Sequence, residues 1–177
     1  MLELRRLSKE AIPRALEKAE RYRLLREPVE AESICRDILD VEPDNQQAVI
    51  TLVLALTDQF QLRQNPSAFQ DACRCVARLT DDYRKSYYAG IVFERRAKAH
   101  LNLETPGSGY VAFQWLTKAM QYFEKAMQLQ PMENEDALLR WNSCARIQNA
   151  NPDIVTSPES IEAVIQDDDP SGPWGAR

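Results

Sequence analysis

The sequence predicts an all-α chain: a row of helices folded into antiparallel hairpins. Three observations carry that prediction. Glycine is scarce, at 5 of 177 residues, and only Gly90 precedes Gly107; about 7% is usual. Two-residue β-hairpin turns favour glycine, so the shortage argues against a sheet-rich fold. The ten prolines, at 13, 28, 43, 66, 106, 131, 152, 158, 170 and 173, punctuate the chain at intervals, and proline is tolerated only in a helix's first turn. Between them apolar residues recur at spacings of three and four.

The elements follow in order. Ala15, Ala19, Tyr22 and Leu25 form the first stripe, and Ala31, Cys35, Ile38 and Leu39 the second. Val49, Leu52, Val53, Leu56 and Phe60 form the third; Phe69, Ala72, Cys73, Val76 and Leu79 the fourth. Tyr88, Ile91, Val92 and Ala99 come next, then Phe113, Leu116, Met120, Phe123 and Met127. Ala137, Leu138, Trp141, Cys144 and Ala145 close the series at seven. The short polar connections turn each helix back along the one before.

The segment EPVEAESICRDILDVEPDN, ending at Asn45, resembles the second half of a tetratricopeptide (TPR) repeat, with Ala31 at the small position and Pro43 as the closing proline. Counting back, Ala19 and Tyr22 take the small and aromatic positions of the first helix. The match recurs in WLTKAMQYFEKAMQLQPMEN through Ala119, Phe123, Ala126 and Pro131, with Gly90 and Phe93 in the preceding helix. A looser copy runs through Val49, Leu52, Val53 and Leu56, then Ala72, Val76 and Leu79. Pro43 to Pro131 spans 88 residues, where two repeats of 34 residues would take 68. Lengthened hairpins account for the excess, chiefly between Phe93 and Ala119, where extra helical turns flank the loop Leu103 to Gly109. The resemblance implies a right-handed superhelical array of about three and a half hairpins over residues 1–149. A helical solenoid of another kind fits the same periodicity. Residues 150–167 are expected to add a short capping helix from Pro158, with Ile161, Val164 and Ile165 on one face. Residues 168–177 are expected to be a disordered acidic tail bearing Trp174.

Several functions are disfavoured. Phosphate loops and dinucleotide fingerprints need clustered glycines, which the chain lacks. The N-terminus is charged throughout, unlike a secretory signal. The longest apolar run, Ala48 to Leu56, is too short to span a membrane. Cys35, Cys73, Cys75 and Cys144 form no C-x-x-C pair, and His100 is the one histidine, so no metal ion or cofactor is expected. The cysteines read as small core residues in a reducing cytoplasm. The Asp81/Asp82 pair reads as a helix cap rather than an acid and base. The chain is not expected to be an enzyme.

The TPR resemblance implies a scaffold that binds a protein or peptide in a groove lined by the first helix of each unit. Its inward positions map to Leu16, Glu20 and Arg23, then Ile50, Leu54 and Asp58. They continue with Arg84, Tyr87, Ile91 and Arg95, and end with Leu138, Asn142 and Arg146. The expected partner-binding set is therefore Glu20, Arg23, Asp58, Arg84, Tyr87, Arg95, Asn142 and Arg146. Arginine, amide and aromatic groups suit a peptide's backbone and acidic side chains. The same residues also read as ordinary solvated helix positions. A TPR subclass that clamps C-terminal carboxylates uses Lys and Asn where this chain has Leu16, Glu20 and Thr51, so that ligand is not expected.

The formal charge of −5 is unevenly placed. Residues 46–130 carry ten bases and seven acids, and residues 131–177 three bases and nine acids. Asp167, Asp168, Asp169 and Trp174 are candidates for tail docking, on a partner or on the chain's own basic middle. The leading expectation is thus a non-catalytic cytoplasmic adaptor. The alternative is a self-assembly module using the Trp174 tail. A single-stranded nucleic-acid binder, using the middle arginines with Tyr83, Tyr87 and Tyr88, ranks below both because the net charge opposes phosphate binding.

Overall fold

The computed structural model describes residues 3–61, 67–103, 105–129 and 133–151. Among them are seven α-helices, one short 3-10 turn at Lys9–Ala11 and no strand. The helices fall into two compact units, Met1–Thr80 and Asp81–Arg177. The boundary lies between the second and third hairpins read from the sequence.

In the first unit α1 (Ile12–Leu24), α2 (Pro28–Val41), α3 (Gln46–Asp58) and α4 (Ala68–Ala77) pack in chain order, and α1 also touches α3. Pro13 and Pro28 sit in the first turns of α1 and α2, where their missing N–H groups cost nothing. Asn45 caps α3 by accepting from the Ala48 N–H at 2.9 Å. The α1–α2 turn needs no glycine, because Arg26 adopts the left-handed conformation itself, at φ 62°. There the Glu27 N–H donates to the Tyr22 carbonyl at 2.9 Å and the Arg26 N–H to the Arg23 carbonyl at 3.0 Å. That pair of bonds is the Schellman closure of a helix end.

The core of this unit is built where small residues let helices approach. Ala19 of α1 and Ala31 of α2 are fully buried, with Cys35 and Ile38. Nine of the 13 residues of α3 are buried, because α1, α2 and α4 all pack on it. The apolar run Ala48 to Leu56 is thus the centre of the unit, as expected of a helix that is apolar on nearly every side. The chain just after α4 is fastened back onto α3 through Gln46, whose Oε1 accepts from the Thr80 N–H at 2.9 Å.

The second unit holds α5 (Asp82–Leu101), α6 (Ser108–Leu129) and α7 (Asp136–Ala150), with α6 packed between the other two in the contact order. The helices α5 and α6 have 20 and 22 residues, against 13 and 14 in α1 and α2. The extra length of the chain is therefore extra helix. Asp81 caps α5, its Oδ1 accepting from the Arg84 N–H at 2.7 Å, which assigns that carboxylate a structural role. Gly107, at φ 84°, makes the turn into α6. The core stacks Phe93 on Trp115, with centroids 5.4 Å apart and rings 10° from parallel. Ala119, Phe123 and Ala126 are fully buried beside them.

Gly90 of α5 lies directly under Phe123. A Cβ there would stand 2.5 Å from the Phe123 Cε1 and 2.7 Å from its Cδ1. The ring is fully buried, so it cannot swing aside without disturbing its neighbours. Gly90 and Phe123 thus form a small-against-large crossing of α5 and α6.

Two glycine substitutions should therefore act oppositely. Gly90→Ala gains about 1 kcal/mol of helix propensity, but overpacking a filled core costs about 1–3 kcal/mol, so denaturant unfolding should show a net loss. Arg26→Gly removes left-handed strain and should raise stability by about 0.5–1 kcal/mol.

Candidate functional site

On the first unit the exposed edges of α1 and α3 are joined by two polar links. The Arg23 Nε donates to the Asp58 Oδ2 at 2.9 Å, with side chains 19% and 25% exposed. The Gln47 Nε2 donates to the Glu20 Oε1 at 3.1 Å. Glu20 and Arg23 share a face of α1 because they are three apart, and Asp58 lies on the α3 face that carries Ile50 and Leu54. The structure thus brings together the three first-unit residues expected to line a groove. Arg23, Leu24, Arg26, Pro28, Asp58 and Gln61 line a cleft at this edge. Leu24 in its lining is 85% exposed, and next to lining residues along the chain Leu25 is 63% and Val29 50% exposed.

The second unit carries a buried charge. Glu94 of α5 is fully buried. Its carboxylate accepts from the Lys98 Nζ at 2.5 Å and from the Arg140 Nη1 of α7 at 3.3–3.4 Å. Burial of Arg140 opposes its charge, but Glu94 and the Tyr87 hydroxyl outweigh that and hold its pKa above the ordinary arginine value. Tyr87 also stacks on Tyr83 at 5.8 Å and leans on Phe123 at 6.0 Å. Burial raises the Tyr83 pKa, an effect the Asn134 side chain counters in part. Tyr83, Tyr87, Glu94 and Lys98 are spaced four, seven and four apart, so they form one side of α5.

The remaining expected residues are dispersed. Arg84 is exposed, one turn into α5, and Arg95 is half-buried. Asn142 is half-buried and Arg146 exposed. Both lie on the same side of α7 as the exposed Leu138 and Leu139, whereas Arg140 is the α7 residue that meets α5. Asp167, Asp168, Asp169 and Trp174 lie outside the described residues. Sequence reasoning missed Gln47, Glu94, Lys98 and Arg140. Glu94 followed four residues later by Lys98 is a legible helical pair; Arg140 lies 46 residues away and leaves no local signal.

Of the basic residues weighed for nucleic acid, Arg74 pairs with Asp71, and Arg78 donates to the Pro43 carbonyl. The four cysteines are buried free thiols. Burial pushes Cys35 and Cys144 from 9.0 up to about 12, so both are protonated at neutral pH and unsuited to nucleophilic work. Among the described residues no three His, Cys, Asp or Glu side chains gather as a metal site. No helix there is long and apolar enough to cross a membrane. No family model matches the chain, and no curated protein and no solved structure matches it either.

Two outcomes follow from these charges. Arg140→Ala leaves the buried Glu94 with one cation and should cost about 1–3 kcal/mol in denaturant unfolding. Arg36→Ala removes an exposed pair with Glu32 and should cost under about 0.5 kcal/mol. The thiols should also set an alkaline limit. Unfolded cysteines ionise near 9.0 while Cys35 and Cys144 hold their protons to about 12. Their contribution is intact below pH 9 and is lost as pH rises, by about 1.4 kcal/mol per unit per thiol. Unfolding curves at pH 8 and 10.5 should show a shallower decline for Cys35→Ala/Cys144→Ala than for the wild type.

Proposed function

We propose that this chain is a non-catalytic interaction scaffold, a TPR-like array of helix hairpins that binds a peptide or helix of a partner protein. The observation that carries the proposal is the α1–α3 edge, where the Arg23–Asp58 pair stands beside exposed Leu24, Leu25 and Val29. Partly exposed charges fix a peptide's orientation through charge-assisted hydrogen bonds. Neighbouring leucines supply the apolar area from which most binding energy comes. An amphipathic segment, with leucine-like anchors and one acidic and one basic group in step, fits that edge.

Further support comes from the hairpins. Fully buried Ala19 and Ala31 stand where α1 and α2 meet, and Gly90, Phe123, Ala119 and Ala126 do the same for the longer hairpin. These are the small and aromatic positions on which the TPR resemblance rests. The four free thiols suit a reducing compartment such as the cytoplasm.

Selection of displayed random peptides against the full chain tests the reading. Selected peptides should bind the wild type and lose about tenfold or more in affinity to Leu24→Ser/Leu25→Ser and to Asp58→Ala, the proportion expected of anchor residues. Circular dichroism would establish that both variants keep their helices. Peptides whose affinity ignores these changes, and also ignores Arg84→Ala, Arg95→Ala and Arg146→Ala, would remove the groove from consideration.

A further inference from the structure

Helices α2 and α4 of the first unit both pack on α3. Between them lies a cleft of about 740 Å³, floored by Leu39, Leu52 and Cys75. That volume falls in the roughly 300–1,000 Å³ range of ligand pockets. No lining residue is common to this cleft and the one beside Arg23.

Helix periodicity builds its walls. Ser33, Arg36, Asp37 and Asp40 make one face of α2, and Asp71, Arg74 and Cys75 with the C-cap Arg78 make one face of α4. Both sets follow the spacing three, four and seven that keeps helical residues on one side. Counting Arg5, the lining holds four arginines against three aspartates, a positive excess in a chain of net charge −5.

The arginines keep donors available. Arg36 pairs with Glu32 and Arg74 with Asp71, each within its own helix, and the two arginine side chains are 53% and 68% exposed. Such exposed pairs are weak enough for a ligand's carboxylate to replace. Arg78 donates to the neutral Pro43 carbonyl, which does not neutralise its charge. Burial raises the Cys75 pKa, Arg78, Arg36 and Arg74 oppose that rise, and Asp71 adds to it. All three cations therefore act on one point of the floor. Asp37 and Asp40 also line a smaller recess with Arg5 and Arg6, so the chain's own bases face those acids.

The spacing selects an extended ligand. Arg74 and Arg78 stand about one helical turn apart, roughly 6 Å along the axis. Alternate side chains of a strand are separated by about 6.6 Å. Residues 4–7 of this chain, which are not helical, already line the α2 side of the cleft.

We propose that the α2–α4 cleft binds an extended acidic peptide, with carboxylates at alternate positions on Arg74 and Arg78 and another on Arg36 across the cleft. The site is separate from the α1–α3 edge and stands or falls apart from it.

Fluorescence anisotropy on the full chain, with a labelled heptapeptide of glutamate alternating with alanine, tests the assignment. Arg74→Gln/Arg78→Gln should weaken binding about tenfold or more. Arg14→Gln/Arg21→Gln removes the same charge from exposed positions of α1 and should leave binding unchanged. Leu24→Ser/Leu25→Ser should also leave it unchanged, which separates this cleft from the edge. Should loss of the Arg78 bond to Pro43 unfold the first variant, Arg36→Gln/Arg74→Gln keeps that bond and decides, with the same expected loss. No binding by the wild type, or equal loss in the α1 variant, overturns the proposal. So does a single-stranded oligonucleotide that binds the cleft more tightly than the peptide, which would give the arginines to phosphate.

Discussion

Two helices can lie close together only where one presents almost no side chain, and the packing of this protein turns on that constraint. Under Phe123 the helix α5 carries Gly90, and the space for even a methyl group is already occupied by the ring. The ring is then enclosed, and Phe93, Trp115 and Leu116 fill the same core. In the first unit Ala19 and Ala31 meet the same need. Buried aromatic and aliphatic area supplies the stability, but the small residues decide where the helices can cross. Lengthening α5 and α6 to 20 and 22 residues extends the hairpin on either side of that crossing.

Charge does a different task. The apolar stripes of neighbouring helices would tolerate sliding by a turn, whereas a buried carboxylate tolerates none. Glu94 fixes α7 against α5 because losing Arg140 would leave a fully buried carboxylate with Lys98 of its own helix as its remaining cation. Arg23 with Asp58, and Glu20 with Gln47, set α1 beside α3 with less force, since they are partly solvated. That partial solvation is what makes the α1–α3 edge useful. Its groups are positioned by the fold and still open to a ligand, next to leucines that water alone covers. The Glu94 cluster is satisfied internally and holds the unit together. The same contrast separates the two sides of α7: Arg140 is engaged with the core, and Arg146 stands among exposed leucines.

The helical character and the positions of the turns were legible in the sequence. The stripes at spacing three and four mark seven helices, and Pro13 and Pro28 stand in first turns. The small positions Ala19, Ala31, Gly90, Ala119 and Ala126 were legible too, because the packing need is met by residue type alone. Glu20, Arg23 and Asp58 were singled out from the sequence, and the fold pairs Arg23 with Asp58 and Glu20 with Gln47. The exposed rim of Leu24, Leu25 and Val29 was not, since a stripe gives no sign of where the neighbouring helix ends.

The sequence by itself determined the all-α class, the lack of a glycine phosphate loop and the hairpin lengths, all of which depend on contacts within a few turns of chain. Only the tertiary structure decided which charges became structural. Glu94 and Arg140 are 46 residues apart and Arg23 and Asp58 are 35 apart, and each pair exists because packed helices bring distant faces together. Residue type and local spacing encode a helix face; which partner that face meets, and whether water reaches it, is encoded by the rest of the fold.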